Sequence, residues 1–166
     1  MDTQLFQKAY ALIKSANNIL IATHEQPDGD ALASACLMAE ILSLLNKKYS
    51  LYCHSEVNNQ YDFLPHLDEL KNNLENFNFD LIIVLDCGTV ERTKLDKEIL
   101  NRQPNQPVLE IDHHPKIKNY ADFLCRPWRP TKCTVKIVES DTSIQVEERT
   151  KKKRKVYMLH FVQLFG

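Results

Sequence analysis

The chain has 166 residues, 43% of them hydrophobic, and a formal net charge of -1 at neutral pH. That length suits one domain with a buried core. The near-neutral balance predicts no general affinity for nucleic acid or for a membrane surface, and five cysteines without a CxxC spacing argue against a disulfide framework and for a reduced, cytoplasmic setting.

Taken in chain order, the first residues, Met1-Asp2-Thr3-Gln4, lack the basic-then-apolar signature of a secretory leader. No apolar run approaches the ~20 residues needed to span a bilayer. Leu5, Phe6, Ala9, Leu12, Ile13 and Ala16 recur at helical spacing, which predicts an amphipathic helix ended by Asn17-Asn18. Residues 19–23 read as a first strand. After a Pro/Gly loop, residues 31–45 read as a helix with Leu32, Ala35, Cys36, Ala39, Leu42 and Leu45 as its apolar stripe. Residues 49–53 form a second short strand, and 58–67 are irregular, with Tyr61, Phe63 and Leu64 as packing residues. Residues 81–85 are a third strand, apolar throughout as expected of one covered on both faces. Residues 91–101 are weakly helical, and 108–111 form a fourth strand. Strands alternating with helices predict an α/β fold, a doubly wound and mainly parallel sheet with helices on both faces.

The chemistry sits where these strands end. The first runs into His24-Glu25-Gln26-Pro27-Asp28-Gly29-Asp30, the third into Asp86-Cys87-Gly88, and the fourth into Asp112-His113-His114-Pro115. Open α/β sheets place their ligands outside the carboxyl ends of the strands, so in a parallel sheet these groups converge on one edge. Any one aspartate has an ordinary reading as a turn starter or helix cap; the whole set does not. Asp28 and Asp30, two residues apart, repel each other unless a cation separates them, and carboxylate oxygen with neutral imidazole suits a divalent metal. Cys87 is read as a small buried thiol rather than a nucleophile. His54 and His66 are read as surface or packing residues, and His160 has no evident partner.

With its Asp112-His113-His114 triplet, its His24-x-x-Pro27-Asp28-x-Asp30-Ala31 motif and Asp86 after an apolar strand, the chain resembles the DHH phosphoesterase superfamily. The resemblance covers about residues 6–123. It is nearest the bacterial branch that cleaves very short RNAs and dephosphorylates 3'-phosphoadenosine 5'-phosphate. It implies two divalent ions, usually Mn2+ with Mg2+ or Co2+ as alternates. His24, Asp28 and Asp86 would hold one; Asp30, Asp86 and His113 the other, with Asp86 bridging. His114 would face the phosphate as a catalytic residue, and Asp112 would orient a neighbouring histidine. Full-length relatives are often homodimers.

Two departures stand out. The family's Ala-x-Gly-Ser continuation reads Ala31-Leu32-Ala33-Ser34 here. From Leu124 onward the family pattern stops: no fourth motif with its further aspartate and no C-terminal substrate-binding domain follow. The charge also switches, from -7 over residues 1–123 to +6 over 124–166. Leu124-Cys125-Arg126-Pro127-Trp128-Arg129 can be encoded by TTA TGT AGA CCC TGG CGC, which one nucleotide later reads Tyr-Val-Asp-Pro-Gly, the expected family sequence. The expectation is therefore a partial catalytic domain over 1–123, incomplete at its C-terminal end. Residues 124–166 would be a poorly ordered, frameshifted basic tail. Four parallel strands are expected, with the family's fifth strand absent or poorly formed and an apolar edge left exposed.

The function expected is a manganese-dependent phosphoesterase acting on short RNA, nucleotides or another phosphorylated small substrate, impaired in this truncated chain. The alternatives are exopolyphosphatase or pyrophosphatase activity, and an inactive remnant that holds nucleic acid through the run at 147–155.

Overall fold

The computed structural model describes residues 3–115 and 117–125. Its element order is α1 (Thr3–Ser15), β1 (Asn18–Thr23), α2 (Gly29–Leu44), β2 (Lys48–Tyr52), β3 (Leu70–Lys71), β4 (Leu81–Leu85), α3 (Asp96–Leu100), β5 (Val108–Ile111) and β6 (Phe123–Cys125), with 3-10 turns at Asn59–Tyr61, Leu67–Glu69 and Val90–Thr93. The six strands form one sheet in the order β3-β2-β1-β4-β5-β6, and every neighbouring pair is parallel.

The sheet is two-sided, as its apolar strands require. One face packs Ile19, Ile21, Ile83 and Leu109 against Ala9 and Ile13 of α1 and Ala35, Met38 and Leu42 of α2. The other packs Leu20, Ile82, Val84 and Val108 against Val90, Leu95 and Ile99 in and around α3. Each fully buried Ile or Leu stabilises the fold by about 1.5–3 kcal/mol through apolar burial, so β1 and β4, buried along almost their whole length, anchor the domain.

The expected strands at 19–23, 49–53, 81–85 and 108–111 are all present to within a residue. The expected count of four is corrected to six. β3 has two residues and no periodicity of its own; it exists because β2 presents a pairing edge at Leu51 and Tyr52. β6 runs beside β5, pairing Leu109 with Phe123 and Ile111 with Cys125. The bare edge expected along β5 is thus covered by a strand that crosses the expected boundary at 124. The rest of the expected tail lies outside the described residues.

Two smaller expectations are also corrected. In place of a single stripe, α2 is buried continuously from Ala31 to Ala39, Ala33 included. Phe63 is half exposed to solvent. Residues 91–101 form a 3-10 turn and then α3, separated where Lys94 takes a left-handed conformation at φ 61°.

Candidate metal centre

The strand order reverses between β1 and β4: the chain winds outward through β2 and β3 on one side and through β5 and β6 on the other. A crevice forms at such a switch point, and the three motifs meet there. Register keeps the strand ends level, with Thr23 opposite Leu85 and Leu85 opposite Ile111. Hydrogen bonds continue just past the strands. Thr23 Oγ1 donates to Leu85 O at 3.0 Å, Asp86 N to Ile111 O at 3.1 Å, and Asp112 N to Cys125 O at 3.2 Å. These bonds bring His24, Asp86 and Asp112 to the same height, and all three are buried.

Asp86 is the centre of the site. It leaves β4 with φ 54°, a left-handed backbone uncommon outside glycine and tolerated best by Asp and Asn. Two groups of donor atoms, each within 4.8 Å of one another, share it: His24, Asp28 and Asp86, and Asp86, His113 and His114. Asp86 Oδ1 is buried and accepts no hydrogen bond among the described residues, although His114 Nδ1 and His113 Nδ1 lie 3.3 and 3.5 Å away. Burial, then the Asp30 charge, pushes its carboxyl up to about 6, against the pull of both histidines. A buried anion of this kind calls for a cation, and carboxylate with imidazole is a donor set a divalent ion accepts.

Asp28 shows that a cap and a ligand can be the same residue. It is the N-cap of α2, with Oδ1 accepting from Asp30 N at 3.0 Å and Ala31 N at 3.1 Å, and a carboxylate oxygen of it lies within 4.8 Å of donor atoms of His24 and Asp86. Asp30 lies outside both donor groups. It is half-buried, burial raises its pKa, and the charges of His113, Asp28 and His114 act on it.

Asp112 holds the triplet in shape. Its carboxylate accepts Gly88 N at 2.5 Å, His114 N at 2.7 Å and His114 Nδ1 at 2.8 Å. Burial opposes its charge, but the backbone N–H groups of His114 and Gly88 outweigh that and hold its pKa below the ordinary value. The His113 and His114 rings stack at 4.5 Å and 24°. Gly88 turns the chain at φ 67°, and a Cβ there would come within 3.7 Å of His114.

Arg92 is a residue of the site that its sequence context does not mark. Its Nη2 lies 3.0 Å from His24 Nδ1, its Nη1 donates to Cys87 O at 3.1 Å, and its backbone carbonyl accepts Glu25 N at 2.7 Å. Its one sequence signal is its place six positions after the strand-end Asp86, within a weakly helical segment. Cys87 is fully buried, donates to Leu85 O, and burial raises its pKa well above the ordinary thiol value, which leaves no thiolate for nucleophilic work. His66 packs between Glu40 and Glu69, and His54 is exposed; neither belongs to the two donor groups.

A cleft of about 770 Å³ opens beside the crevice, lined by Cys53, Ser55, Leu64, Leu67, Lys71 and Asn72 among others. None of the site residues named above lines it. It is linked to the first motif where Cys53 Sγ donates to His24 O at 3.3 Å and Ser55 Oγ accepts Gln26 N at 2.9 Å.

Comparison with known proteins relates the chain to one family. Residues 18–161 match the model of the DHH family, N-terminal domain, a match that runs past the expected boundary at 124. The chain is 31% identical over 125 residues to the bifunctional oligoribonuclease and PAP phosphatase NrnA of Bacillus subtilis, covering 75% of this chain and 36% of that protein. To its namesake in Mycoplasma genitalium it is 29% identical over 108 residues, covering 65% and 34%. It thus spans about a third of the length of these relatives. A crystal structure of an exopolyphosphatase-related protein from Bacteroides fragilis shares the fold at a TM-score of 0.67 and 19% identity, over 74% of this chain and 38% of that one.

Proposed function

Because the chain belongs to the DHH family, we propose that it is the metal-binding part of a manganese-dependent phosphoesterase that hydrolyses phosphate esters of short oligonucleotides or nucleotides. One observation carries the reading: a buried carboxylate, Asp86, is common to two donor groups and keeps an oxygen that accepts no hydrogen bond among the described residues. His24, Asp28 and Asp86 would hold one ion. Asp86 and His113 would hold the second, with Asp30 beside them. Paired divalent ions of this kind acidify a water and offset charge on attacking and leaving oxygens.

The residues themselves prepare the site. Glu25 O, 2.7 Å from His24 Nδ1, fixes the imidazole so that Nε2 is the free donor. Asp112 holds His114 by backbone and ring together, so that with Nδ1 engaged its Nε2 would be the nitrogen offered to a phosphoryl oxygen. The choice of short RNA or nucleotide as substrate is supported by the printed names of the relatives, oligoribonuclease and PAP phosphatase.

Mn2+ binding to the full chain tests the reading. Binding that disappears in Asp86→Asn and persists in Lys153→Ala supports it; Mn2+ affinity indifferent to Asp86 refutes it. Comparing phosphate release from pyrophosphate with cleavage of a dinucleotide separates the two substrate classes. RNA binding that survives Asp86→Ala and is lost on removing 151–155 would favour a nucleic-acid-binding remnant. The frame change at 124 must account for a family match reaching residue 161, and the nucleotide sequence across codons 120 to 170 decides it.

A further inference from the structure

Arg92 is half-buried on the 3-10 turn Val90–Thr93, at the rim of the crevice. Among the described residues no carboxylate forms an ion pair with it. A partly desolvated guanidinium is seldom left without an anion. Instead, its Nη1 is anchored on Cys87 O and its Nη2 rests on a histidine nitrogen.

That second contact is conditional. His24 Nδ1 is 2.7 Å from Glu25 O and 3.0 Å from Arg92 Nη2. Glu25 O accepts only when Nδ1 carries a proton; Nη2 can donate only when it does not. A neutral imidazole that offers Nε2 to a cation carries its proton on Nδ1 and faces Glu25 O. Arg92 Nη2 then has no acceptor on His24 and is set free at the edge of the metal-binding groups. Both Arg92 Nη1 and the His114 ring lie against Gly88, within 3.9 Å of where its Cβ would be, so the released guanidinium stands on the same side as His114.

Resting on the phosphoesterase reading, we propose that Arg92 is a phosphate-binding residue of this site: its guanidinium, held by Cys87 O and displaced from His24 when His24 takes a metal ion, donates to a phosphoryl oxygen of the bound substrate. The planar fork of arginine suits a phosphate, with one arm anchored and the other presented. The crevice gathers Asp28, Asp30, Asp86 and Asp112, so an incoming phosphate needs cationic complement beyond the metal ions.

The experiment is calorimetric, on the full chain. Mn2+ affinity is measured first, then the affinity for inorganic phosphate at saturating Mn2+, for wild type, Arg92→Lys and Arg92→Gln. Arg92→Gln is expected to weaken phosphate binding about tenfold or more, as loss of one charge-assisted contact does, with Mn2+ affinity within about twofold of wild type. Arg92→Lys keeps the charge without the fork and is expected to fall between; it carries the test alone if Arg92→Gln does not fold. Equal phosphate affinity in all three proteins overturns the proposal. So does a parallel fall in Mn2+ affinity, which would assign Arg92 to holding His24, and so does a wild-type chain that binds Mn2+ but not phosphate. A wild-type chain that takes up no Mn2+ removes the functional reading and this inference with it.

Discussion

Substituting Asp86 by Asn should stabilise the metal-free protein and abolish its stabilisation by metal. Asn tolerates the left-handed backbone at φ 54°, so the change removes charge without imposing strain. The Asp86 carboxyl is pushed from the ordinary 3.8 to about 6, chiefly by burial and then by Asp30. At about 1.4 kcal/mol per pH unit, that costs the folded metal-free state up to about 3 kcal/mol. The penalty opens as pH rises above the unfolded value and is complete beyond about pH 6, because only there is the carboxylate charged in both states. At pH 8 without metal, Asp86→Asn should therefore melt higher, by roughly 6–12 °C at the full value and at about 2–4 °C per kcal/mol. Near pH 4 the two proteins should converge. With Mn2+ at a hundred times its dissociation constant, wild type should gain about 2.7 kcal/mol and the variant nothing. The order of melting temperatures would then narrow or reverse. Thermal unfolding followed by circular dichroism, with chelator and with Mn2+, reads both arms. An Asp86→Asn protein less stable than wild type in chelator at pH 8, or raised by Mn2+ as much as wild type, would refute the reasoning.

Other expectations follow from the same structure. Burial disfavours charge on His66, but the carboxylates of Glu69 and Glu40, at 2.7 and 2.5 Å, outweigh it and raise its pKa; the stability this pairing supplies is complete below the unfolded histidine value and is lost as pH rises through the folded one. His66→Asn, suited to the φ of 64°, should therefore cost more at pH 5.5 than at pH 8.5 in urea unfolding, and a larger cost at the higher pH would contradict the pairing. Ile83 is fully buried in β4 at the centre of the sheet, so Ile83→Ala should lose about 2–5 kcal/mol through the cavity it leaves, measured as a drop in denaturant midpoint. Cys87 should resist iodoacetamide in the folded protein at pH 8 and react once unfolded, since burial raises its pKa and excludes reagent; peptide mapping that finds it modified under native conditions would reopen the case for a nucleophilic thiol.

What could be read from the residues, and what could not, divides along a physical line. The apolar runs at 19–23, 81–85 and 108–111 announce themselves because each strand buries both faces and so carries a local composition signal. Their terminal His24, Asp86 and Asp112 were visible for the same reason: a charged group directly after such a run marks where burial stops. β3 and β6 had no such signal. Two or three residues carry no periodicity, and these strands form because β2 and β5 offer unpaired backbone along an edge, which is a property of the neighbour. The continuous burial of α2 was equally hidden, since a stripe of apolar positions tells which face meets the sheet and not what covers the rest.

The sequence by itself therefore determined the chemical types available, carboxylates and imidazoles at strand ends, and the alternation that makes the sheet parallel. Only the tertiary structure decided that Asp86 is shared by two donor groups and keeps a buried oxygen that accepts no hydrogen bond among the described residues, that Asp28 both caps α2 and joins His24 and Asp86 in one donor group, and that Arg92 reaches His24 from 68 positions away. Those facts depend on register between strands remote along the chain and on backbone turned left-handed at Asp86 and Gly88. Such relations arise from hydrogen bonds between strands, and no window of consecutive residues contains them.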